Sequence, residues 1–273
     1  MDKSKYLKSL QDFEAIFKFA MKLSLDTHGR QVDTRREAVA SYIFTKICLH
    51  ANSILKLTPK SSYSHTKDKS NIWDYTSIAI LSRAIMDAYY ALFYLCIDKI
   101  NNEEQEFRFL IWDYHSENRR LKQLRLIKSS NKEIPEIEKN VDELKELIKN
   151  NSEFKILDKN TRKGVIRGEI PFILKNHEIA ERAGINKSYH QASYMFLSSY
   201  IHTFPFAISQ TSAIEDTDQI LHFINVILDM CYGYLCLCVR DYIELVPDQK
   251  VYLVGALKEK IEMWEEIFKE LFK

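Results

Sequence analysis

Six glycines and five prolines make up about 4% of this 273-residue chain, against an average near 12%. Sheets and βαβ units consume these residues at every tight turn, so the scarcity excludes most architectures that reverse direction often. Hydrophobic residues reach 46%, with fifteen Tyr and fifteen Phe, enough to fill a sizeable core. The expected fold class is all-α: a single helical-bundle domain over residues 1–273, with about eight or nine helices and two central apolar ones.

Spacing places the helices. Leu7, Leu10, Phe13, Phe17, Ala20 and Leu23 recur every three or four residues, the period of one helical face. A second helix is expected over Arg35–Leu57, stopped by Thr58-Pro59 and the polar loop that follows. Asp74–Ile97 is apolar nearly all round, as a central helix must be, and Asp218–Leu245 forms its counterpart. Asn102 and Gln105 read as a capping pair for a helix through Ile127. The helix at Pro135–Asn150 carries a narrow seam of Ile137, Val141, Leu144 and Ile148, which offers a surface for a homodimer or a partner helix. Ser152–Glu169 reads as an irregular connector. Ser188 and Gln191 cap the next helix, Thr217 and Asp218 open the long apolar one, and a last amphipathic helix covers Asp248–Phe272.

A net charge of +1 sets up no global field toward nucleic acid or anionic lipid. The five cysteines lie in apolar contexts without a CxxC pair, which fits a reduced, cytoplasmic protein, and the N-terminus shows no apolar signal core. Ile78–Ile97 and Ile220–Val239 approach membrane length but carry Arg83 with Asp87, and His222 with Asn225 and Asp229, so no membrane insertion is expected. Glycine-rich phosphate loops, HExxH, Glu-x-x-His and GxSxG are all missing, so neither a cofactor nor a metal is expected.

The polar residues on apolar helices carry what chemistry the sequence offers, because an unpaired buried polar group costs roughly 1 to 3 kcal/mol. Arg83 and Asp87 stand four apart on the central helix, with Tyr90 continuing their face. His222, Asn225 and Asp229 share a face of the later apolar helix and read as a core network or a ligand site. Arg119–Lys132 holds six basic residues and no acid, a solubilising helix end or a phosphate contact. Arg108 and His115 form an Arg-x6-His spacing that resembles the Arg-x4–6-His pattern of HEPN ribonucleases. In such a site arginine stabilises phosphate charge while histidine moves the proton of an attacking ribose 2′-hydroxyl.

One further segment stands out. Within Ile170–Pro205, AERAG followed by a polar helix start imitates a DNA-reading helix-turn-helix, yet Tyr194, Ser198 and His202 fall four apart on one face. His190 and Ser193 occupy positions that a DNA reader fills with apolar residues, so DNA is not expected. Pro171, Ala180, Gly184, Tyr189, Tyr194, Leu197, Ser198 and His202, with Arg83 and Asp87 upstream, resemble a bacterial all-helical family of unknown function. Its mark is a proline, a short AExxG helix and a Tyr-Arg-x-Leu-Ser-x-x-x-His helix. The match covers about Asp74–Val246 loosely, and departs where Met195 stands in place of the family's arginine. The resemblance implies a helical bundle with a shared polar centre. The resulting expectation is a HEPN-like cytoplasmic protein, a defence or toxin component cleaving RNA without metal, with Arg83, Asp87, Ser198 and His202 converging, Arg108 and His115 as a second catalytic pair, and Tyr194, His222, Asn225 and Asp229 as ligand-binding residues. The alternative is a non-enzymatic interaction or ligand-sensing module in which the same residues are structural.

Overall fold

The computed structural model describes residues 3–64, 73–214 and 216–270. It is 79% helix, and no strand occurs among the described residues. Twelve α-helices follow one another: α1 Lys3–Thr27, α2 Arg35–Leu57, α3 Tyr75–Leu92, α4 Asn102–Leu126, α5 Ile134–Asn150, α6 Ser152–Ile156, α7 Lys159–Ile166, α8 Asn176–Arg182, α9 Lys187–Ile201, α10 Pro205–Ser212, α11 Thr217–Leu245 and α12 Ala256–Glu270. A π turn, Phe93–Ile97, prolongs α3, and a 3-10 turn, Pro247–Tyr252, follows α11.

With the 3-10 turn this makes thirteen helices where eight or nine were expected. Eight run fifteen residues or more, and these are the ones whose periodicity shows. The surplus is short. α6 buries no residue, α7 only Val165 and α10 only Ala207, so a two-turn helix offers no apolar repeat to read. Ser152–Glu169 is accordingly not an irregular connector: Asn151 and Asp158 cap α6 and α7 through their side chains. The expected last helix breaks at Gly255, where φ is +57°, and residues 271 and 272 of that expectation lie outside the described residues. Three caps sit one or two residues before the expected ones, at Asn101, Asn186 and Asp216. Much of the loop after Pro59 also lies outside the described residues.

The chain forms two compact units, residues 1–97 with 176–273, and residues 98–175. In the first, α2 packs along α3, α11 packs on both α1 and α3, α9 crosses α3, and α12 covers α11. α3 and α11 are apolar nearly all round because other helices cover most of their surface; Ile85, Met86, Leu92, Ile224, Leu228 and Leu235 are all fully buried. α2, α3 with its π turn, and α11 are also long and apolar enough to cross a membrane by length and composition. Within the folded chain, 72% of the apolar window of α3 and 67% of that of α11 are buried against other helices.

In the second unit, Phe107, Ile111, Tyr114 and Leu121 of α4 meet Ile137, Val141 and Ile148 of α5 and Val165 of α7. The seam of α5 that the sequence offered to a partner is thus occupied by α4.

Candidate functional site

α3 brings one charged face to α9. Arg83 is buried on α3, and its guanidinium lies over the Tyr194 ring, 3.8 Å from the ring centre. Its Nε donates to Ser198 Oγ at 3.3 Å, and its Nη1 pairs with Asp87 one turn along the same helix. Four of the predicted site residues, Arg83, Asp87, Tyr194 and Ser198, therefore meet. Asp87 is not buried as expected: its side chain is 49% exposed, at the edge of the cluster.

His202 is not part of this cluster's bonding. α9 ends at Ile201 with His202 as its cap, the His202 amide still bonded to the Ser198 carbonyl, and Thr203 takes a left-handed φ of +52° that turns the chain after it away from the helix. The imidazole is exposed and stacks on Phe204, with ring centres 5.1 Å apart. Among the described residues no hydrogen bond or ion pair reaches its ring. Met195, on the same helix, points to solvent, 70% exposed.

A different histidine lies in the core. His190 is buried on α9, with Nδ1 2.6 Å from the Tyr90 hydroxyl, which is itself 2.8 Å from the Tyr234 hydroxyl of α11. Burial, then the charge of Arg83 and of His177, pushes His190 down to about 4, so it is neutral at physiological pH. Burial raises Tyr90 and Tyr234 well above the usual phenol range, so this chain of groups is uncharged. Beside it, Tyr89 donates to Asp241 Oδ2 at 2.8 Å, and Arg240 Nε donates to Asp241 Oδ1 at 2.7 Å. Burial raises Asp241, while Arg240 and the Tyr89 bond pull it back. Sequence reasoning missed both networks. The available signal was an adjacent Arg and Asp at the end of an apolar helix, and a histidine at an internal position of the α8–α9 pair.

The second catalytic pair is not assembled around a free arginine. Arg108 is fully buried in its unit; its Nη2 donates to Asp98 at 2.8 Å and to Glu104 at 2.6 Å, and its Nε to Glu104 at 3.0 Å. Two carboxylates occupy the fork that a phosphate would need. His115, half-buried two turns away, is held below the usual imidazole range by burial and by Arg119 and Lys122. The basic stretch after it is partly neutralised: Arg120 pairs with Glu133 and Arg125 with Glu138, both at 2.8 Å.

The three ligand candidates on α11 separate as well. Asn225 is buried and donates to Asp229 Oδ2 at 3.1 Å; burial raises Asp229, against the pull of Ser9, Lys5 and Asn225. His222 is exposed and lines an open cleft with Lys5, Gln210, Asp216 and Phe223. A cavity of about 410 Å3, lined among others by Thr27, Arg30, Tyr42, Tyr242 and Asp248, contains none of the predicted residues. Among the described residues no three of His, Cys, Asp and Glu are grouped to hold a metal ion. All five cysteines are free and buried, and burial pushes Cys48, Cys96 and Cys231 up to about 12.

The centre can therefore bind two helices together, and its charged groups are already engaged with one another. No curated protein and no solved structure matches the chain. A family does, across α2, α3 and α9 with everything between them, and by that match over residues 37–220 the chain belongs to the family of unknown function DUF5677.

Proposed function

We propose that the protein is a non-enzymatic helical interaction module, and that its polar centre fixes α9 on α3 so that the surface formed by α9 and α10 is presented in one geometry. The observation that carries this reading is the state of Arg83. A catalytic guanidinium must be able to reach a phosphate, whereas this one is enclosed by Tyr194, Ser198 and Asp87 and nearly sealed from solvent. Arg108 is engaged in the same way by Asp98 and Glu104. His202, the general-base candidate, stacks on Phe204 with no arginine at its ring. The five free, buried thiols support a reducing compartment, and we place the protein in the cytoplasm.

The competing reading is HEPN-like RNA cleavage, and it makes a separable demand. Purified protein is incubated with mixed RNA in chelator, beside His202→Ala, His115→Ala and Arg83→Lys variants checked for folding. The interaction reading requires intact RNA in every lane. Chelator-resistant cleavage that His202→Ala or His115→Ala abolishes would overturn it.

A further inference from the structure

One end each of α1, α2 and α11 meets around the cavity of about 410 Å3, a volume within the range of small-molecule sites, roughly 300–1,000 Å3. Thr27 is the last residue of α1, Leu245 the last of α11, and Glu37 stands in the first turn of α2; all three line it. Its buried side is fixed. The Tyr242 ring stacks on Phe44 with centres 4.1 Å apart and planes 5° apart. Thr27 donates its hydroxyl hydrogen to the Leu23 carbonyl at 2.9 Å, so Tyr242, 3.0 Å away, is the donor to Thr27 Oγ1. The loop between α1 and α2 is tied down as well: Arg30 Nε donates to the Asp26 carbonyl at 2.9 Å and its Nη1 to Asp248 Oδ2 at 2.8 Å, beyond the end of α11.

Charge in the lining is unequal. Arg30 and Asp248 cancel one another, which leaves Glu37. Its Oε2 accepts the Asp33 amide at 3.1 Å, and among the described residues no cation pairs with it. Helix ends add roughly half a charge each. The positive start of α2 is opposed by the negative ends of both α1 and α11, and neither of those helices has a basic residue in its last turn. The balance is about one and a half negative charges. One turn after Glu37 on the same face of α2, Ser41 lines the cavity with a hydroxyl that has no partner among the described residues. Tyr42 follows, its side chain 78% exposed at the rim, and Val32, Val246 and Pro247 supply apolar wall.

We propose that this cavity binds a small organic cation, a protonated amine on an aryl body, with the ammonium at Glu37 and Ser41 and the aryl group against Tyr42, Val246 and Pro247. A carboxylate or phosphate ligand would meet two carboxylates and one guanidinium already bonded to one of them. A neutral ligand would cover the Glu37 charge without compensating it, and a covered charge without a partner is costly. An ammonium supplies three donors, enough for the open Glu37 oxygen and the Ser41 hydroxyl together. The face of an aromatic ring adds attraction for a cation within about 6 Å, a part Tyr42 can play.

No residue of α9 or α10 lines the cavity, so this inference stands apart from the module reading and failure of one leaves the other in place. The probes are phenethylamine, its alcohol analogue 2-phenylethanol, and 3-phenylpropionate, each titrated into the full chain by calorimetry, with saturation-transfer NMR for the weaker two. Phenethylamine should bind saturably and about tenfold tighter than the alcohol, with the carboxylate weakest. Glu37→Gln is the discriminating variant, because glutamine can still accept the Asp33 amide and keep the start of α2 while the charge is removed. It should lower affinity for the amine by about tenfold and leave that for the alcohol unchanged. Tyr42→Ala, at an exposed position, should weaken amine and alcohol alike. Absence of saturable amine binding overturns the proposal, as does tightest binding by 3-phenylpropionate or an amine affinity that Glu37→Gln leaves as it was.

Discussion

The Tyr90 hydroxyl and His190 Nδ1 lie 2.6 Å apart although the residues are 100 positions apart in sequence, and the contact joins α3 to α9 in a site sealed from water. The histidine is consequently a sensor of acid stability. In the unfolded chain it accepts a proton near pH 6.5, whereas in the folded protein burial holds it down to about 4. Between those values the unfolded state binds a proton that the folded state does not, so stability falls as the pH falls through this window. Above it the residue is neutral in both states and contributes no slope. Urea denaturation from pH 7 to 4 should show a loss on the order of 3 kcal/mol from this group. His190→Gln should flatten that acid limb; an unchanged slope would place the titration elsewhere.

Arg83 and Asp87 should respond unequally to truncation. Arg83→Ala removes a buried cation and its packing on Tyr194, at a cost of about 3 kcal/mol. Asp87 is half in water, so Asp87→Ala lets solvent replace the carboxylate, for about 1 kcal/mol or less. Equal losses measured by chemical denaturation would show that the pair is drier than its exposure indicates.

Arg108 holds Asp98 and Glu104 together in the second unit, and both carboxylates are largely shielded. Arg108→Ala leaves two like charges facing each other across the space it filled, at about 3–5 kcal/mol. Arg108→Lys should recover only part of this, because a single ammonium lacks the fork that spans both partners. Full rescue by lysine in thermal melts would show that charge alone, without geometry, holds the site.

Gly233 permits α11 and α12 to approach closely. A Cβ there would stand 2.8 Å from the Phe268 ring and from Trp264 Cε3. Gly233→Ala should destabilise by about 1–3 kcal/mol, although alanine is the better helix former. A gain in melting temperature would mean that the rings can move aside.

How much of this was readable in the sequence depended on the range over which each feature is decided. Helices such as α2 and α11 announced themselves because about 35 to 43 Å of one face repeat an apolar residue at every turn, and a helix end is marked by one Thr, Asn or Asp. α6, α7 and α10 have too few turns to repeat anything. The meeting of Arg83 with α9 was legible because a charge on an all-apolar helix must find a partner nearby. The identity of the histidine was not. His202 keeps its backbone bond to Ser198 as the cap of α9, but its ring stands in solvent against Phe204, a contact across the turn at Thr203 that no spacing announces. Tyr89 and Asp241 are 152 residues apart, and only the packing of α11 on α3 decides that they touch.

The last turn of α12 sets a condition on when the centre can exist at all. The Asn186 amide, at the cap of α9, donates to the Phe268 carbonyl at 2.8 Å, and the Phe268 ring meets those of Tyr189 and Tyr234. On a ribosome this bond at the cap of α9 can close only after residue 268 has been made, so the seating of α9 is completed last. A fragment cut at residues 37 and 220 would carry the family's matched segment without the helices that seat α9, and would behave as an unfinished chain rather than as a smaller protein.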